Sequence, residues 1–217
     1  MDSTNYRYQF VAGNLALDFV NTVAFRADPG KKQDHLQRTE DVHRWANQAQ
    51  LPDRAAINSG RLVGTAALRR IRAVREQLFA VFLAIATDDP IPADTLARVG
   101  NALHDCSAKR CLSIEGADVR WTWGPDARRT DYLLYPVLTA ATDLLTSVSR
   151  GLVRQCEDAS CGWLFLDRSN ARSRRWCSMA DCGNRNKARK YYRREAGLPV
   201  ADGSRATRKL SYTRLRA

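Results

Sequence analysis

Apolar residues recur at three- and four-residue steps along GTAALRRIRAVREQLFAVFLAIATDD. Ala67, Ile71, Val74, Leu78, Val81 and Ile85 fall on one stripe. That period marks an amphipathic helix, the longest that the pattern predicts. Arg69, Arg70, Arg72 and Arg75 lie largely off the stripe, which assigns them to a solvated face. Upstream, FVAGNLALDFVNTVAFR predicts a helix from about Gly13, and ADPGKKQDHLQR has the composition of a loop. Thr39 stands where an N-cap belongs for EDVHRWANQAQ, whose first turn is acidic. IPADTLARVGNALHD predicts another helix. The period then changes to alternation. Cys111–Ile114 and Val119–Trp123 flank a turn-like EGAD and predict a β-hairpin. Pro136 opens a further helix, PVLTAATDLLTSVSRGLVRQC, which runs into a cysteine-rich region.

The resulting fold class is α+β and mostly helical. An N-terminal helical domain with a small β element covers residues 1–150. A compact module follows over 151–197, and a basic tail of disordered composition over 198–217. With 44% hydrophobic residues in 217, the chain can bury a real core. No apolar run approaches the roughly 20 residues of a membrane span. The opening MDSTNYRYQF lacks the basic-then-apolar order of a signal peptide. The expected compartment is the cytoplasm, where thiols stay reduced.

Charge changes the picture of the C-terminal third. The formal net charge is +12. Residues 1–150 hold 19 Lys+Arg against 17 Asp+Glu, whereas residues 151–217 hold 16 against 6. The excess points to a polyanionic partner for the C-terminal part.

Four cysteines lie in that part, Cys156, Cys161, Cys177 and Cys182, spaced C-x4-C-x15-C-x4-C. Two short-spaced pairs separated by a hairpin-length span suit one structural Zn²⁺, which takes four thiolates in a tetrahedron. A disulfide framework conflicts with the expected compartment. A catalytic thiol wants a histidine partner, and His35, His43 and His104 are all far upstream. Cys106 and Cys111 repeat the gap without a second pair and read as buried thiols. Between the metal pairs, GWLFLD reads as a strand with RRWC as its return strand. SMAD is the turn between ligands, and Asn184 caps the helix GNRNKARKYYRREAG. A knuckle, a hairpin and a second knuckle leading into a helix resemble a treble clef.

On a helical wheel that last helix separates two faces. Ala188, Tyr191, Tyr192 and Glu195 share a side suited to docking on Trp163, Phe165 or Trp176. Asn186, Lys187, Arg189, Lys190, Arg193 and Arg194 cover most of the other. Such a face can neutralise phosphates and read base edges in a major groove. Arg174, Arg175 and Arg185 flank the second cysteine pair and extend the expected double-stranded DNA contact. The helix lacks the broad apolar face of a membrane-surface helix, so no membrane partner is expected.

At this point the residues resemble a known family. CEDASCGWLFLDRSNARSRRWCSMADCGNRNKARKYYRR looks like the CGNR zinc finger, named for Cys182-Gly183-Asn184-Arg185. GNLALDFVNTV resembles the ABATE domain found upstream of that finger. The resemblance implies a bacterial, stress-induced transcription regulator, with zinc on the four cysteines and a DNA-binding finger at the nucleoid. By the architecture of bacterial regulators the N-terminal domain is a candidate sensor of a small-molecule effector or a dimerisation domain, and a homodimer on a palindromic site is a common arrangement. Asp18, Asn21, Arg26, Trp45 and Trp123 are the candidate effector residues. Structural partners within the chain are the competing reading for Asp18 and Asn21, which share a helix face. The chain is expected to bind rather than catalyse. An RNA-binding or nuclease use of the same module is the alternative. A nuclease needs a His or carboxylate constellation beside the finger, and the C-terminal third has no histidine. An RNA reader needs exposed stacking aromatics, so the placement of Tyr191 and Tyr192 bears on that choice.

Overall fold

The computed structural model describes residues 6–53, 57–58 and 64–197. The tail assigned to 198–217 lies outside the described residues. A short helix, α1 (Leu15–Val20), sits at the centre, with every residue from Ala16 to Val20 buried. Asn14 caps it. Its Oδ1 accepts from the amides of Ala16 (2.9 Å) and Leu17 (3.4 Å), while its Nδ2 donates to the Ala140 carbonyl (3.2 Å). The cap therefore starts the helix and ties it to a distant one.

The helix stops at Val20, earlier than its apolar run suggests. A hairpin follows, β1 (Val23–Ala24) against β2 (Gln33–Asp34); β1 takes the end of the stretch expected to be helical and β2 lies in the stretch of loop composition. Helix α2 (Thr39–Gln48) starts at Thr39, not after it. Its N-terminus is satisfied by Asp41, whose Oδ2 accepts from the amides of Gln37 (3.0 Å) and Arg38 (2.9 Å). The long helix α3 (Gly64–Thr87) and then α4 (Ala93–Ser107) stand where the apolar periods place them. Strands β3 (Arg110–Glu115) and β4 (Asp118–Trp123) form the hairpin expected from alternation, with Leu112 opposite Trp121.

Helix α5 (Arg129–Thr146) corrects the expectation that Pro136 opens it: the proline lies inside. A proline there costs roughly 3 kcal/mol through its missing N–H and its clash with the preceding turn. Burial of Leu133, Leu134, Val137, Leu138 and Ala141 offsets this at about 1.5–3 kcal/mol per large side chain. The actual start is set by Asp131, which accepts from the Arg128 amide at 2.9 Å.

Of the arginines of α3, Arg69 is exposed as expected, but Arg70, Arg72 and Arg75 depart from a solvated face. Arg75 is 2% exposed and pairs with both oxygens of Asp34 at 2.7 Å. It also donates to Thr22 Oγ1 (3.2 Å) and Glu76 Oε1 (2.8 Å). Arg72 reaches the Leu36 carbonyl and Asp34, and Arg70 lies 3.3 Å from Asp131. The β1–β2 hairpin and α5 cover faces of α3 that its main apolar stripe does not mark.

A 3₁₀ turn (Val148–Leu152) leads from α5 into β5 (Val153–Gln155), which pairs antiparallel with β6 (Leu164–Leu166). The return partner of LFL is therefore VRQ, ahead of the first cysteine, and not RRWC. All three residues of β6 are buried, and they share one hydrophobic interior with α1, α3 and α5. The last helix, α6 (Asn184–Glu195), continues from a wide π-type turn at Met179–Gly183.

Candidate metal centre

Cys156 and Cys161 lie in the knuckle that joins β5 to β6, while Cys177 lies just before the wide turn that precedes α6 and Cys182 lies within it. All four are buried, and their Sγ atoms lie within 4.8 Å of one another. Cys177 Sγ is 3.7 Å from Cys161 Sγ and 3.5 Å from Cys182 Sγ. A tetrahedron with Zn–S bonds of about 2.3 Å has edges of about 3.8 Å, so the donor set fits one zinc ion. Without a cation the thiols work against each other. Hydrogen bonds from Cys161, Cys177 and Cys182 push the Cys156 thiol down, while their sulfur neighbours and burial push Cys161 and Cys177 up. A dication resolves that conflict by stabilising four thiolates at once.

Four thiolates and Zn²⁺ leave two negative charges, and the surroundings answer them. Arg185 Nη2 donates to Cys182 Sγ at 2.9 Å, and the Cys177 amide donates to Cys156 Sγ at 3.4 Å. Gly162, next to Cys161, has φ +69°, and a Cβ there would meet Ala27 N and Arg26 Cβ at 3.0 Å. The close approach lets the Arg26 amide donate to the Cys161 carbonyl at 2.9 Å. Gly162→Ala is expected to lower the thermal midpoint of the zinc-loaded chain, by about 2 kcal/mol of stability or more from the left-handed backbone and the clash.

One carboxylate that sequence reasoning missed organises the site. Asp158, inside the first knuckle, has a fully buried side chain. Its Oδ1 accepts from the Ser160 amide (3.0 Å) and hydroxyl (2.8 Å), and its Oδ2 from Arg185 Nε (3.3 Å) and Arg189 Nη2 (2.9 Å). Burial alone would raise the carboxyl; Ser160, Arg189 and the Arg185 charge outweigh it and hold it below its ordinary range. The signal was present in CEDASC as an Asp-x-Ser turn, the one acid pair in a basic module. Ser178 is the second missed residue. Its Oγ accepts from the Asp181 amide (3.2 Å) and donates to Asp181 Oδ2 (2.7 Å). It therefore caps the helical turn, a role expected of Asn184. Asn184 instead donates to the Ala180 carbonyl.

The arginines expected on an outer face divide. Arg174 turns inward. It donates to the carbonyls of Trp176 (2.9 Å), Val11 (3.2 Å) and Cys177, and lies 4.5 Å over the Phe165 ring. It is a strut between finger and N-terminal domain. Arg175 pairs with Glu157 at 2.5 Å and stacks on Trp176. Arg185 and Arg189 grip Asp158. Lys187, Lys190, Arg193 and Arg194 have no ion-pair partner among the described residues, and Asn186 is half-buried beside them. Tyr191 and Tyr192 do not dock on the finger. They are 61% and 70% exposed, edge to face with each other. The reason is that the N-terminal domain already covers the finger's apolar side: Trp163 Nε1 donates to the Val23 carbonyl at 2.8 Å and Phe165 is fully buried.

The five candidate effector residues do not form one site. Asn21 holds β6, accepting from the Leu164 amide (3.0 Å) and donating to its carbonyl (2.8 Å). Arg26 is clamped by Glu76 at 2.7 and 3.0 Å and lies over Phe79. Trp45 is buried against Phe19. Trp123 donates to Asp53 at 2.9 Å, at the base of the β3–β4 hairpin. Cys111, expected to be buried, is exposed on that hairpin; Cys106 is buried. Asp18 accepts from the Ala12 amide at 3.0 Å. Burial pushes its carboxyl up to about 7 from an ordinary 3.8, against the pull of the Ala12 and Val11 amides. Between those values the folded chain keeps a proton that the unfolded chain has released. Stability is therefore expected to fall as pH rises from about 4 to about 7, by roughly 4 kcal/mol from this group. Urea titrations across that range should show the slope for the wild type and a flatter one for Asp18→Asn.

This arrangement defines a zinc-finger protein whose finger is built onto a helical domain. Residues 13–148 match the ABATE family, described as "putative stress-induced transcription regulator". Residues 153–195 match the CGNR zinc finger. The chain belongs to the ABATE family and carries one structural zinc site of the CGNR type. No curated protein matches it. No helix among the described residues is long and apolar enough to cross a membrane.

Proposed function

We propose that the chain is a cytoplasmic transcription regulator that binds double-stranded DNA through α6. One observation carries the reading: Lys187, Lys190, Arg193 and Arg194 project from a helix whose base is fixed by zinc and by Asp158, with no acid pairing them among the described residues. Unpaired cations at that density release counterions from a phosphate backbone. The family description as a transcription regulator supports the same reading. Binding without catalysis fits the finger's carboxylates. Asp158 is spent on two arginines, and Asp167 on Ser169 and the Arg174 amide.

The test is duplex binding by fluorescence anisotropy at several salt concentrations. Lys190→Ala with Arg193→Ala is expected to weaken binding and to reduce the salt slope by about 2, close to one for each phosphate no longer neutralised. Unaltered zinc content shows that the finger is intact. Unchanged affinity and slope would sink the reading. The exposed Tyr191 and Tyr192 favour a second reading, in which single-stranded nucleic acid stacks on them. In that case single strands would outcompete duplex, and each Tyr→Ala would cost about 1–3 kcal/mol.

A further inference from the structure

The β3–β4 hairpin carries an apolar face that nothing in the described chain covers. Alternation puts Arg110, Leu112 and Ile114 on one side of the hairpin, opposite Trp123, Trp121 and Val119. The other side holds Cys111, Ser113, Glu115, Asp118, Arg120 and Thr122, with Arg120 pairing Glu115 and Asp118 at 3.5 Å. Leu112, Ile114, Val119 and Trp121 are 63%, 79%, 67% and 63% exposed. A two-stranded hairpin is marginal in water unless its apolar face is packed.

The base of this hairpin is packed against α5. Trp123 packs on Tyr132 and Tyr135 with ring centroids 4.6 and 5.6 Å apart. Arg110 lies over Trp123 and Tyr135 at 4.7 and 5.2 Å. The outer rungs extend beyond this packed base and stay exposed.

We propose that this face is where two copies of the chain meet, rung against rung. The occupant follows from charge and area. The exposed rungs carry no charge, so the strip complements another uncharged apolar strip. A two-fold axis supplies one from the same surface. The surrounding domain is nearly neutral, with 19 basic against 17 acidic residues over 1–150. Copies can approach there without the repulsion that the basic finger would impose. The four residues leave roughly 500–600 Å² open, at the upper end of the largest apolar patch that a typical monomer exposes, a size that is often functional. Two copies would cover about 1,000 Å², the threshold for a specific interface. The proposal does not depend on nucleic-acid binding.

Sedimentation equilibrium of the zinc-loaded full chain at micromolar concentrations tests it. The wild type is expected to dimerise. Ile114→Lys and Trp121→Glu are each expected to weaken dimerisation by about tenfold or more, because each buries a charge in an apolar interface. Ser113→Lys, on the polar side, is expected to leave it intact. A monomeric wild type, as expected if a different protein covers the face, overturns the proposal; so does a dimer indifferent to both charged variants. Should the variants lose zinc or helical signal, amide exchange on the wild type decides. Protection over residues 112–121 must rise with protein concentration, and exchange independent of concentration overturns the proposal.

Discussion

Stripping the zinc with a chelator is expected to collapse the circular-dichroism signal of the N-terminal helices together with that of the finger, in one transition. Structural zinc in a small finger contributes about 10–16 kcal/mol, which equals or exceeds the 5–15 kcal/mol that holds a typical domain. In this chain the metal-anchored hairpin is not peripheral. Leu164, Phe165 and Leu166 are 0%, 0% and 2% exposed within the interior shared with α1, α3 and α5. Loss of the knuckle frees β6, and the helices lose one wall of their core. Cys177→Ser should reproduce the effect without chelator, since a fourth thiolate is gone from the buried cluster. Zinc titration of the apo chain should restore helicity with a midpoint at one equivalent. Helical signal and near-UV signal that survive chelation unchanged would show that the two parts fold separately.

Replacing Asn21 is expected to have the next largest effect. Its side chain is 3% exposed and makes both hydrogen bonds to the backbone of Leu164. Asn21→Leu keeps the branched shape, with somewhat bulkier methyl ends, but strands a buried N–H and a buried C=O, each worth about 1–3 kcal/mol. A loss of about 2–6 kcal/mol follows, which for a chain of this size lowers the midpoint by about 2–4 °C per kcal/mol. The same variant should give up zinc to a competing chelator at lower concentration, because the strand it releases carries the knuckle. Differential scanning calorimetry and a chelator competition, run side by side, measure both. A normal midpoint with normal zinc retention would contradict the role assigned to Asn21.

Much of this was legible in the chain. The stripe from Ala67 to Ile85 gave α3, the alternation around EGAD gave β3 and β4, and the spacing of Cys156, Cys161, Cys177 and Cys182 gave the metal centre. What was not legible has physical reasons. Val153–Gln155 is three residues long, too short to show any period. LFL, buried on both faces, does not alternate, so it could not announce its partner. Pro136 signals a helix start by local rules, yet Asp131 and the burial of the leucines around it set the start seven residues earlier. Arg75 looks solvated until the β1–β2 hairpin folds over it and supplies Asp34. The tyrosines of α6 form a plausible docking face on a wheel, but the surface they would dock on is already taken by Val23 and its neighbours.

The Arg174 strut and the Asn21–Leu164 clasp have a consequence for genetics. With DNA bound through α6 as proposed, a screen for loss of that binding would return substitutions at Asn21 and Leu164 alongside those in α6. They would look like contact residues on a linear map, although they lie far from any proposed phosphate. Such alleles should be rescued by cooler growth or by added zinc, whereas alleles at Lys190 or Arg193, the phosphate contacts proposed above, should not.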